Sequence, residues 1–159
     1  MRNSTILIAV AVLLVVSALC ALAQELNVFA DQTFRPALQE IAPLFTEKTG
    51  FAVELSLGRS SILAERIRDG VSADLFFPAS NEVMKQMMEK GLVDVALKRH
   101  ILDLPSTEPA VNGVVPAPQH ISAAVMVNAT NRLQAMAFLE FLTSEAARGA
   151  FARQGFALP

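Results

Sequence analysis

Leu26-Asn-Val-Phe-Ala30, then Asp31-Gln-Thr33, then Phe34-Arg-Pro-Ala-Leu-Gln-Glu-Ile-Ala-Pro-Leu-Phe-Thr-Glu-Lys-Thr-Gly50 is the stretch that decides the fold. The first five residues are a short apolar run bounded by turn formers, which reads as a buried strand. Phe34, Leu38, Ile41 and Phe45 then recur three and four apart, the spacing of one helix face, up to a stop at Gly50. Pro43 lies inside that pattern and predicts a kink or a break. The strand-then-helix alternation continues downstream. Phe51 to Leu57 predicts a second strand, and Gly58-Arg-Ser-Ser61 turns into a helix with Leu63 and Ile67 inward, closed by Gly70. Asp74 to Phe77 predicts a third strand, followed by a helix with Val83, Met84, Met87 and Met88 that stops at Gly91. Such an alternation implies an α/β fold, a parallel sheet with helices on its faces. The segment 102–119 reads differently: Pro105, Pro109, Pro116, Pro118 and Gly113 with little periodicity predict a loop or linker. Ile121 to Val127 predicts a fourth strand, and helices from about Arg132 to Leu142 and about Ser144 to Arg153 complete the chain.

Outward from this core, the chain has 159 residues, 13 Lys plus Arg against 15 Asp plus Glu, and 53% hydrophobic residues. That length suits one domain. The near-neutral balance and the absence of Trp and Tyr exclude a typical nucleic-acid binder, which needs a basic face and stacking rings. The mean hydropathy of +0.43 is high because its excess sits at the N-terminus. No charge occurs from Ser4 to Ala23, Ile6 to Val16 is unbroken apolar sequence, and Ala21-Leu-Ala23 is a small-x-small cleavage signal. Residues 1–23 therefore read as a secretory signal peptide, with an uncleaved membrane anchor as the competing reading. Cys20 raises lipidation, but Leu19 before it is large for such a processing site. Cleavage would leave Gln24 to Pro159, without cysteine and so without disulfide or thiolate chemistry.

In an open parallel sheet, ligands bind beyond the carboxyl ends of the strands, against the helix starts that follow. Thr33 follows the first predicted strand, and Ser60 and Ser61 follow the second. Hydroxyl donors beside free backbone N–H groups make a neutral cradle for an oxyanion, while the plainer reading makes these residues ordinary helix N-caps. Glu65, Arg66 and Arg68 read as the wet face of a helix. Met84, Met87 and Met88 read as core filling rather than a copper site. His100 and His120 flank the linker and read as solvated or structural residues, so no metal ligand is expected. No nucleophile–base arrangement or carboxylate pair has a supporting motif, so neither catalysis nor a cofactor is expected.

The stretch opening at Leu26 and running to Gly50 resembles the start of periplasmic molybdate-binding proteins of ABC transporters. So do Leu57-Gly-Arg-Ser-Ser-Ile-Leu-Ala64, Gly70-Val-Ser-Ala-Asp-Leu-Phe-Phe-Pro-Ala-Ser80 and Glu89-Lys-Gly-Leu-Val93. Ala135-Met-Ala-Phe-Leu-Glu-Phe-Leu-Thr-Ser-Glu-Ala146 and Gly155-Phe156 resemble the same family's last helices. The resemblance implies a type II periplasmic-binding-protein lobe, a mostly parallel sheet flanked by helices. It further implies capture of a tetrahedral oxyanion, most readily molybdate, and delivery to an ABC permease. By position, Thr33 and Ser60, with Ser61 beside it, fall where the family places oxyanion-binding hydroxyls. Contact with the membrane would come only through the permease or an uncleaved signal segment.

The chain departs from the family in three ways. The family resembles a two-lobed clam, and here the linker 102–119 stands in place of the second lobe, leaving 24–159 as a single lobe. Asp31 sits beside the expected site, where the family has small neutral residues. Arg59 precedes Ser60 and either pairs with Asp31, attracts the anion, or forms a weak surface ion pair. The lack of Tyr weighs against a transferrin-like iron receptor. Two rivals follow from the departures: a degenerate, non-binding lobe that serves as an interaction module, and a sensory receptor for another small solute, with Asp31 accepting from a protonated anion or an amine.

Overall fold

The computed structural model describes residues 25–105 and 118–158. The five described strands are β1 (Leu26–Asp31), β2 (Val53–Gly58), β3 (Leu75–Phe77), β4 (Val93–Leu104) and β5 (Gln119–Met126). They form one sheet in the order β2-β1-β3-β5-β4. β1 pairs parallel with both β2 and β3, whereas β5 is antiparallel to β3 and to β4. Four strands therefore point the same way and β5 alone is reversed, which is the mostly parallel sheet that the family resemblance implied.

Side-chain alternation along the strands divides the core into two layers. Val28 and Ala30 of β1, Leu75 and Phe77 of β3, and Ile121, Ala123 and Val125 of β5 face one side. There they meet α1 (Arg35–Thr49), α4 (Arg132–Phe141) and α5 (Glu145–Arg153). Phe29, Phe76, Ala124 and Met126 face the other side, against α2 (Ser60–Arg68) and α3 (Asn81–Glu89). Met84 and Met87 are buried in this second layer, as core filling requires. Among the described residues no helix is long and apolar enough to cross a membrane.

Two expectations are corrected. α1 runs through Pro43 without a break and ends at Gly50, whose φ of 78° supplies the left-handed stop. Pro43 and Gln39 are both exposed, so the carbonyl that loses its helical partner faces water while Ala37, Leu38, Ile41 and Phe45 keep the opposite face buried. The second correction is β4, a twelve-residue strand where the sequence showed none. It is an edge strand rich in charge, with register shifts against β5 between Val93 and Lys98 and between His100 and Leu102, so its alternation is erased. Leu102 to Leu104 and Gln119 thus belong to strands rather than to the linker, and residues 106–117 of that segment lie outside the described residues. The predicted signal peptide, 1–23, also lies outside them.

Candidate functional site

β1, β2 and β3 end together, since Asp31 is in register with Gly58 and Ala30 with Phe77. The connections that leave these ends form the site. After β1 the chain makes a single 3-10 turn, Gln32–Phe34, before α1. Phe34 is fully buried, stacked on Phe77 at 4.3 Å between ring centroids, and it anchors the turn that carries Thr33. After β2, Arg59 stands at the N-cap of α2 without a side-chain cap, and Ser60 is the first residue of the helix.

Asp31 holds this arrangement together. Its Oδ1 accepts from the Thr33 backbone N–H at 3.0 Å and from the Thr33 hydroxyl at 2.7 Å. Its Oδ2 accepts from the Ser60 backbone N–H at 2.8 Å and from the Ser60 hydroxyl at 2.5 Å. The Ser60 oxygen in turn accepts from the Ala79 N–H at 3.0 Å, which ties in the connection after β3. One carboxylate thus caps two helical starts, in the position where their free N–H groups favour an anion. Burial works to raise the pKa of Asp31. The hydrogen bonds from the Ser60 hydroxyl, both Thr33 donors and the Ser60 N–H outweigh it and hold the acid below the ordinary value of 3.8.

The structure brings Thr33, Ser60 and Asp31 to one point. Neither hydroxyl is an N-cap, because the capping atoms belong to Asp31. Asp31 is not a bystander beside the cradle, as its sequence position suggested, but the acceptor inside it. An Asp at the end of a strand, two residues before a Thr, is the local signal for this capping turn. Ser61 and Arg59 are exposed, and Asp31 makes no ion pair with Arg59. The Ala79 N–H is a backbone donor that no side-chain reading reveals.

At the opposite end of the strands, Asp74 is fully buried. It accepts from the Asn27 N–H, the Asn131 N–H and the Asn131 Nδ2 at 2.9–3.0 Å, which pins β1 and the start of α4 to β3. The sequence reading placed Asp74 in a strand and assigned it no such role.

A model of the bacterial extracellular solute-binding protein family matches two overlapping segments, residues 26–109 and 95–157. The chain belongs to that family. Solute binding is the role that the family's description gives. Among its relatives, the molybdate-binding protein ModA of Escherichia coli is 37% identical over 84 residues, 52% of this chain and 33% of that protein. ModA of Haemophilus influenzae is 36% identical over 73 residues, 45% of this chain and 29% of that protein. The chain thus spans about a third of the length of the curated relatives it matches. The substrate-binding domain of a putative molybdenum ABC transporter from Clostridium difficile superposes with a TM-score of 0.74 at 15% identity, over 85% of this chain and 99% of that one. That likeness confirms the solute-binding fold.

Proposed function

We propose that this solute-binding family member is an exported receptor for a tetrahedral oxyanion, most readily molybdate, serving an ABC importer. In this reading residues 1–23 are a cleaved signal peptide, the mature chain is periplasmic, and 24–159 form one lobe, with the connection from β4 to β5 in place of a second. The observation that carries it is the cradle: two hydroxyls and two backbone N–H groups from Thr33 and Ser60 converge on a single anionic group at the carboxyl ends of β1 and β2. Molybdate is a dianion with only acceptor oxygens, so a set of neutral donors is the chemistry it needs. The ModA relatives and the two-piece family match support the same assignment.

Asp31 favours a second reading. Its carboxylate already uses all four donors, and an incoming anion at 4 Å meets about 4 kcal/mol of repulsion per unit charge at an effective dielectric near 20. A lobe whose cradle is closed by its own carboxylate is suited to interaction rather than to capture. Thermal melts with and without molybdate separate the two. For the receptor, molybdate raises the melting temperature of Asp31→Ala more than that of the wild type, and Thr33→Ala and Ser60→Ala lose the effect. If Asp31→Ala gains no stabilisation from molybdate, the cradle is not an anion site and the interaction module stands.

A further inference from the structure

The two histidines that flank the linker in sequence meet in space on Asp103. The His100 Nε2 lies 2.9 Å from the Asp103 Oδ1 and the His120 Nδ1 lies 2.6 Å from the same oxygen. The two rings sit edge to face with centroids 5.0 Å apart. One ligand atom from each of the three residues falls within 4.8 Å of the others.

A β-bulge creates this convergence. In a regular strand, residues three apart point to opposite faces, so His100 and Asp103 would not meet. Here His100 is opposite Ser122, Leu102 is opposite Ile121, and Asp103 is opposite His120. Ile101 is the extra residue, and both it and Leu102 are buried. Ser122 and His120 are two apart on β5 and share a face, so the bulge turns His100 onto the face of Asp103 and His120. The Asp103 backbone is fixed further by its N–H bond to the Ala157 carbonyl at 2.9 Å. The cluster lies at the same end of the sheet as Asp31, two or three strands away across the order β2-β1-β3-β5-β4, on the order of 10 Å or more at the usual strand spacing. It is therefore a separate site.

We propose that His100, Asp103 and His120 bind one divalent transition-metal ion of the zinc class, completed by water. Two imidazole nitrogens and one carboxylate, without thiolate, suit such borderline ions, and three protein ligands leave a fourth position open. Ligands about 2.0–2.2 Å from a tetrahedral ion stand about 3.3 Å apart. The two nitrogen–Oδ1 contacts need to open by less than about 1 Å and the two nitrogens, within 4.8 Å of each other, to close toward the same spacing, with the metal replacing the protons that now bridge nitrogen to Oδ1. The His120 side chain is 66% exposed, which gives the ion a route in and gives the ring freedom to adjust. The ring also borders an open groove lined by Met84, Met88, Lys85, Lys98 and Ser122.

The test is a titration of the full chain, produced without a polyhistidine tag, with Zn²⁺ by calorimetry and with Co²⁺ by visible absorption. One equivalent of Zn²⁺ should bind in the micromolar range, and Co²⁺ should give d–d bands typical of nitrogen and oxygen ligation. His120→Ala, at an exposed position that the fold does not need, should weaken binding about tenfold or more, in line with what lost metal-site partners cost. His100→Ala and Asp103→Asn should do the same, whereas Thr33→Ala should bind the metal as the wild type does. Absence of saturable binding up to about 1 mM Zn²⁺, or wild-type affinity in His120→Ala, would overturn the assignment.

Discussion

Replacing Asp31 by alanine removes the acceptor from two hydroxyls and two backbone N–H groups at once. A lost capping side chain costs about 0.5–2 kcal/mol, and here one carboxylate serves two helical starts. Asp31→Ala should therefore lower stability by about 1–3 kcal/mol, seen as a lower urea midpoint at unchanged slope. The acid limb carries the same signature. The folded-state pKa of Asp31 is depressed below 3.8, so its contribution is complete above that value and is lost as pH falls through the folded pKa. Melts from neutral pH down to about pH 2 should show the wild type losing stability more steeply than Asp31→Asn below that value. Parallel curves would mean that the donors do not favour the charged carboxylate. Asp74 has a different part. Its truncation to alanine strands three donors, two of them buried and each costing about 1–3 kcal/mol, so Asp74→Ala should lose about 3 kcal/mol or more by urea denaturation. At this scale the placing of Thr33 and Ser60 after β1 and β2 was legible, since a hydroxyl after a strand is a local pattern. The position of the Asp31 carboxylate was not, because its partner Ser60 is 29 residues away.

Among the elements, α1 shows how tertiary packing overrides a local rule. Proline in a helix interior costs about 3 kcal/mol relative to alanine, yet α1 continues because Ala37, Leu38, Ile41 and Phe45 are buried on its inner face. Phe45 makes edge-to-face contacts with Phe138 at 5.0 Å and Phe141 at 5.5 Å, which ties α1 to α4. Pro43→Ala should restore the missing N–H on an exposed turn and stabilise the protein by about 1–3 kcal/mol, measured by chemical denaturation. A destabilised variant would mean that the ring does more for the folded or unfolded chain than its exposed position suggests. β1 and β3 were legible because central parallel strands are buried on both faces and read as continuous apolar runs. β4 was not, because an edge strand carries charge and its bulge at Ile101 breaks the two-residue period. The irregularity that hid the strand is the feature that assembles His100, Asp103 and His120.

For the whole molecule, the affinity of the cradle depends on how much of an anion one lobe can cover. A closed cleft excludes water, whereas an open cradle leaves each bond competing with solvent and worth about 0.5–1.5 kcal/mol net, somewhat more to a charged acceptor. Against the entropy of association, three or four such bonds give binding near the millimolar range, about −4 kcal/mol. Calorimetry on the wild-type monomer should therefore find weak or undetectable molybdate binding, made weaker still by Asp31. A sub-micromolar constant for the monomer would refute the half-site estimate, and tight binding confined to a dimer would mean that a second copy covers the open side of the cradle. The alternation of β1, β2 and β3 with their helices, the faces those helices bury, and the placing of hydroxyls after β1 and β2 were readable from sequence alone, because hydrophobic period and turn chemistry are local. Where the Asp31 carboxylate points, how Asp74 joins β1 to α4, and the meeting of two histidines across a linker were decided only by tertiary structure. Each depends on contacts between residues distant in the chain, set by strand register and, for the histidines, by the bulge at Ile101, and one residue of register moves a side chain to the other face of the sheet.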